Sequence, residues 1–193
     1  IRNGYGVTVE KKSQTSPSDT KKKTGTGNFI TAYIDHGTSP QNASYEYLML
    51  VRPSSKDEGR FAKKLPYTVI QADNQAHVVR DDITGITAYI SYGGYASAET
   101  LVAGAEPETI VMERTRDDGK VVMSVCTPDL GITEKGYTTT QQSQKILKKV
   151  ILKGTWSLSS PSENVDLIIE DGNTVISAIC LHGQPVEFTL NNN

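Results

Sequence analysis

The residues best equipped for chemistry lie in a few short stretches. Asp35-His36-Gly37 places a carboxylate beside one of only three histidines, a pairing that could in principle move a proton. Tyr92, Tyr95 and Trp156, with Tyr89 near the first two, could stack on sugar rings. Lys145, Lys148, Lys149 and Lys153 form a basic stretch, and Arg114 and Arg116 a second one. Together they could attract a sulfated chain. Three acidic pairs, Asp81-Asp82, Asp117-Asp118 and Glu170-Asp171, invite a glycosidase reading. Glycosidase carboxyls, however, face one another across a sugar about 5 to 9 Å apart. Adjacent residues at turns do not do that, and turns recruit Asp for its backbone bonding.

The bland readings compete with each of these. His36 and Asp35 are suited to hydrogen-bonding the backbone of the loop at 37–44. A structural role is therefore favoured for His36, and for the surrounding Asp35, Gly37, Pro40, Asn42, Tyr45 and Tyr47. Trp is commonly core in a β-sandwich, and Lys149 and Lys153 share a strand face with Ile151. Tyr92, Tyr95, Trp156, Lys148 and Lys149 are thus the candidate sugar contacts, weighed against a purely architectural role. Lys21-Lys22-Lys23 sits in a polar stretch that reads as an exposed loop. Cys126 and Cys180 read as two buried free thiols. No Cys/His cluster suggests zinc and no acidic set suggests calcium. There is no phosphate loop and no nucleic-acid motif, so no metal, cofactor or nucleic acid is expected.

The elements that must position these residues are nearly all strands. Phe29–Ile34 and Tyr45–Val51 are apolar strands separated by a polar connection at 35–44, and Tyr5–Glu10 offers another. Residues 11–28 read as loop. Ser55 and Glu58 have capping-box spacing, Phe61, Ala62 and Leu65 share a helical face, and Pro66 ends the segment. A short helix is predicted there. Strands follow at Tyr67–Ala72, His77–Arg80, Ile86–Tyr92, Thr109–Arg116, Lys120–Cys126, Lys148–Trp156, Val165–Glu170, Thr174–Leu181 and about Val186–Leu190. Gly93-Gly94-Tyr95 breaks the sheet. Asp117-Asp118-Gly119 and Asp171-Gly172-Asn173 are hairpin signals, and 127–144 is a long polar connection. Many short strands with turn signals imply an all-β chain folded as an antiparallel β-sandwich.

Bulk properties bound the rest. A chain of 193 residues, 36% hydrophobic, can bury a real core. Its net charge of −2 gives no global field for a polyanion. No apolar run is long enough to span a membrane. The first residue is Ile1, which suggests a fragment or a processed product.

One stretch carries a resemblance. Tyr33-Ile34-Asp35-His36-Gly37, then Pro40, then Asn42-Ala43-Ser44-Tyr45-Glu46-Tyr47 resembles polysaccharide lyase family 8, the chondroitin, hyaluronan and xanthan lyases. The likeness continues through Ile110-Val111-Met112, Val125-Cys126-Thr127-Pro128-Asp129-Leu130 and the closing hairpin. It is greatest to the chondroitin sulfate ABC lyases of the Bacteroides type.

The resemblance implies the C-terminal portion of such an enzyme. Residues 1–53 would end a central β-sandwich domain, 54–66 would be a linker helix, and 67–193 a C-terminal β-sandwich domain. In that family a Tyr is base and acid, a His and an Arg assist from a helical toroid, and a Glu from the central domain supports them. All lie upstream of the matched portion, so no catalytic residue is carried over. The implied partners are the rest of the parent lyase, its helical toroid and central β-domain, and a sulfated glycosaminoglycan. The implied location is periplasmic or secreted.

Three readings follow: a non-catalytic supporting part of a lyase, a carbohydrate-binding module, and, last, a free-standing lyase or hydrolase. An exposed apolar face on residues 5–51 supports the first. Burial of Trp156, Tyr92 and Tyr95 removes the second.

Overall fold

In a computed structural model, residues 6–17, 24–128 and 144–193 are described. They are almost entirely β-structure, in antiparallel sheets with one short helix. The Lys21–Lys23 run, and all of the 127–144 connection except residues 127, 128 and 144, lie outside the described residues. The chain divides into two units, Ile1–Glu58 and Gly59–Asn193.

The first unit is built on a hairpin of β1 (Val7–Pro17) and β2 (Thr24–Ile34). Both strands run well into residues 11–28, which were predicted as loop. Cross-strand pairing explains this: polar residues such as Ser13 and Gln14 form the ladder opposite Asn28 and Gly27. The register puts Val7, Val9, Ile30, Ala32 and Ile34 on one face. On the other face the Tyr33 hydroxyl donates to Glu10 at 3.0 Å, and Lys12 pairs with Glu10 at 2.7 Å. The apolar face is open: Val9 is 65% and Ile30 73% exposed.

The predicted strand Tyr45–Val51 does not form. These residues are irregular apart from one isolated bridge at Glu46. A strand exists only through its ladder, and among the described residues no strand pairs with this one. Most of its apolar side chains stay in solvent, Val51 at 84% exposure, while Leu50 is partly buried.

Helix α1 (Ser55–Lys63) forms where a short helix was predicted, but with a different cap. The helix starts at Ser55, so Ser54 is the N-cap and Asp57 the third helical residue. The Asp57 amide donates to Ser54 Oγ at 3.2 Å, while Asp57 Oδ2 accepts from the Ser54 amide (3.1 Å) and hydroxyl (2.7 Å). This is a reciprocal box one residue upstream of the predicted one.

The second unit is a two-sheet sandwich. Its seven-stranded sheet runs β11-β14-β9-β8-β5-β4-β3, with β3 at Tyr67–Ala72, β4 at Ala76–Asp81, β5 at Thr87–Ser91, β8 at Thr109–Thr115, β9 at Val121–Cys126, β11 at Trp156–Leu158 and β14 at Val186–Asn192. The five-stranded sheet runs β12-β13-β10-β7-β6, with β6 at Tyr95–Ala96, β7 at Val102–Ala105, β10 at Ile146–Lys153, β12 at Val165–Glu170 and β13 at Asn173–Cys180.

Alternation builds the core. Val121, Met123 and Val125 point inward from β9, Val150 and Leu152 from β10, Ile176 and Ala178 from β13. Each fully buried aliphatic side chain is worth about 1.5–3 kcal/mol over an exposed one.

Two corrections concern where the chain changes sheets. The Lys148–Trp156 strand is two strands, because Gly154 adopts a left-handed φ of +83° that turns the chain from one sheet into the other. Past Gly93-Gly94, the chain crosses to β6 and β7, an Ala/Gly-rich pair that sequence reading did not resolve.

Candidate functional site

The 35–47 segment of the first unit is a tight turn with stacked rings. Asp35 Oδ1 accepts the Gly37 amide at 2.8 Å, and Gly37 takes a φ of +77°. Asn42 is also left-handed, at +55°, a conformation that Asn tolerates better than most residues. The half-buried His36 ring lies 6.0 Å from Tyr45, which stacks on Tyr47 at 6.1 Å. Pro40 is exposed at the turn.

The candidate sugar contacts do not share one surface. Trp156 and Tyr95 are in the core, 9% and 4% exposed. The indole Nε1–H donates to the Lys153 carbonyl at 2.7 Å, and the Trp156 amide to Thr174 Oγ1 at 2.9 Å. Thr100 Oγ1 donates to the Val102 carbonyl at 2.8 Å, so it accepts from the Tyr95 hydroxyl at 2.6 Å. Neither ring offers a face to a ligand. Tyr92 does, at 51% exposure, with its ring edge-on to His77 at 5.3 Å.

The lysine stretch splits by strand alternation. Lys148 points inward with Val150 and Leu152, and its Nζ donates to the Pro107 carbonyl at 2.9 Å. Glu108 stands 3.9 Å away. Lys149 is exposed, and its amide donates to Glu106 Oε2 at 2.9 Å. Lys153 reaches the Ala98 carbonyl.

The acidic pairs serve turns. Asp81 accepts the Thr84 hydroxyl at 2.6 Å and the Ile83 amide at 2.8 Å, which hold its carboxyl below the usual range. Asp82 takes Thr68 at 2.9 Å and Arg80 at 3.1 Å. Asp118 accepts the Lys120 amide at 3.2 Å.

Glu113 is a polar core residue that sequence reading missed. It faces inward from β8, 7% exposed, and accepts the Tyr89 hydroxyl at 3.3 Å. Burial pushes its carboxyl up, while hydrogen bonds from Thr87 and Tyr89 pull the other way. Burial, and then the Glu113 carboxylate, raise the Tyr89 phenol. Cys126 and Cys180 are free thiols, both pushed up first by burial. Among the described residues no group of three His, Cys, Asp or Glu side chains could hold a metal, and no helix is long and apolar enough to cross a membrane.

Two open clefts lie side by side at one end of the seven-stranded sheet. The first, about 400 Å³, is lined by Thr84 and residues 114–118. The second, about 390 Å³, is lined by Arg116, Lys120, residues 159–162 and residues 187–189. Arg116 belongs to both. The sequence names Arg114 and Arg116 as a basic stretch, but nothing local in it joins them to Ser159–Ser162, some forty residues on.

The fold is similar to that of solved polysaccharide lyases. A mutant chondroitin AC lyase of Streptomyces coelicolor A3 matches the structure with a TM-score of 0.69 at 16% identity, over 100% of this chain and 25% of that one. In sequence the chain is similar to the chondroitin sulfate ABC endolyase of Proteus vulgaris, 27% identical over 199 residues. It is also similar to the chondroitin sulfate ABC exolyase of Bacteroides thetaiotaomicron, 28% identical over 197 residues. These alignments take in 97% and 89% of this chain but only 19% of either relative, in a C-terminal part of each. The chain thus spans about a fifth of the length of the curated relatives it matches. No protein-family profile matches it.

Proposed function

We propose that this chain is the non-catalytic, supporting C-terminal part of a lyase that cleaves an acidic glycosaminoglycan by β-elimination. The relatives are named for chondroitin sulfate, and the substrate class of this reading is chondroitin or dermatan sulfate or hyaluronan. The observation that carries the reading is the open apolar face of β1–β2, with Val9 65% and Ile30 73% exposed, together with other exposed apolar side chains of the first unit such as Val51 at 84%. Soluble proteins cover such surfaces, and here the cover would be the remainder of the parent enzyme, its central β-domain and helical toroid.

Elimination needs a base for the proton beside the uronate carboxylate, a stabiliser for the resulting charge, and an acid for the leaving oxygen. In this chain the buried Tyr89 phenol and Glu113 carboxyl face the core, where no saccharide reaches them. Residues 1–53 would close the central domain, 54–66 link, and 67–193 form the C-terminal sandwich. The compartment that goes with this reading is periplasmic or extracellular.

The rival sugar-stacking module finds no support in Trp156 and Tyr95, which are core residues. The test is an assay of the 193-residue chain with chondroitin sulfate, following ultraviolet absorbance of the unsaturated uronate. No rise is expected. A sustained rise lost in His36→Ala would overturn the reading.

A further inference from the structure

We propose that the paired clefts around Arg116 are an accessory binding site for an acidic saccharide whose anionic groups fall at intervals along the chain. The choice of ligand rests on the glycosaminoglycan reading above; the site itself rests on the geometry. Arg114 at the end of β8, with Arg116 and Lys120 from the β8–β9 turn, brings cations, and Ser159, Ser160 and Ser162 bring hydroxyls from the segment after β11. Pro161 adds apolar surface for a sugar's C–H face.

The lining is mixed, since Asp117, Asp118 and Glu187 stand among the cations. A purely basic patch would hold any polyanion. Alternating guanidinium, carboxylate and hydroxyl groups suit a chain whose carboxylate or sulfate falls at intervals. The cations take the anion, and the carboxylates accept sugar O–H groups. Arg116, shared by both clefts, sits where one anionic group between two sugars would lie. Its contact with Asp118, 3.4 Å with the side chains 49% and 42% exposed, is a loose surface pair that an incoming anion can replace. Each cleft, near 400 Å³, has room for a sugar unit.

The test titrates the isotope-labelled 193-residue chain with a size-defined chondroitin sulfate hexasaccharide, and in parallel with its desulfated form. Amide shifts by NMR locate binding and calorimetry measures it. Shifts are expected at residues 114–120 and 159–162. Arg116→Ala is expected to weaken binding about tenfold, and Lys120→Ala less, while Lys56→Ala, at an exposed lysine outside both clefts, leaves it within about twofold. Retained binding of the desulfated chain assigns the contact to the uronate carboxylate, and its loss assigns it to sulfate.

An absence of shifts, shifts clustered elsewhere, or Arg116→Ala binding as the parent does would overturn the proposal. The spectrum of each variant reports its folding, and the shift map of the unsubstituted chain decides by itself if a variant fails to fold. A chain that neither cleaves nor binds contradicts this site alone. One that binds here and also releases unsaturated uronate contradicts the non-catalytic reading alone.

Discussion

The two units use the same strand chemistry to opposite ends. In Gly59–Asn193, alternating strands face each other across two sheets, and Val78, Val111, Val125, Leu152 and Ile176 lose all contact with water. In Ile1–Glu58 the alternation is as regular, yet Val9 and Ile30 on the apolar face of β1–β2 remain mostly exposed. A pleated apolar face is thus a request for a partner, met within the second unit and left open in the first. Two-stranded ribbons are marginal in water without such a partner.

Paired truncations sharpen this contrast most. Ile176→Ala, at a site with 0% exposure, is expected to lower unfolding free energy by about 2–5 kcal/mol. Ile30→Ala, at 73% exposure, is expected to change it by about 0.5 kcal/mol or less. Urea unfolding measures both, and equal losses would break the comparison. Trp156→Phe keeps most of the ring but removes the indole donor, leaving the Lys153 carbonyl unpaired at a cost of about 1–3 kcal/mol. A sugar-stacking Trp156 would lose binding instead and keep its stability.

Glu113 makes the sandwich pH-sensitive. Burial raises its carboxyl above the ordinary value, so the fold holds that proton more tightly than the unfolded chain does. The contribution is full below the unfolded pKa, about 4.3, and is lost as pH rises through the raised folded value. Thr87 lies opposite it on β5 and Met123 on β9, with Tyr89 bonded to it. Glu113→Gln is expected to flatten this fall in stability, measured by thermal unfolding across pH. An unchanged profile would show that the carboxyl does not titrate in the core. Ser54→Ala removes the cap of α1 and is expected to cost about 1 kcal/mol, read as faster amide exchange in Ser55–Lys63.

Most of the sandwich was legible because its signals are local. Asp117-Asp118-Gly119 and Asp171-Gly172-Asn173 mark hairpins that form in the expected pairs, β8–β9 and β12–β13. Tyr45–Val51 failed because its apolar alternation describes a surface and not the neighbour needed to pair with it. Polar β1 and β2 were underread for the mirror reason: each found its neighbour in the other. The candidate sugar contacts divided along the same line. Whether Trp156 or Lys148 faces solvent depends on which side of its strand the second sheet lands, and no spacing records that. The cleft at Arg116 is equally non-local, since only the folded sheet brings residues 114–120 to residues 159–162.

The central claim is that the first unit needs a cover that the second does not. Native-state hydrogen exchange on the 193-residue chain tests it directly. Amides of β9 and β13 are expected to exchange only through global unfolding, and those of β1 and β2 through cheap local opening. Protection of β1 and β2 equal to that of β9 and β13 would mean that the hairpin is complete as it stands, and would contradict its proposed role as an interface to the rest of a larger lyase.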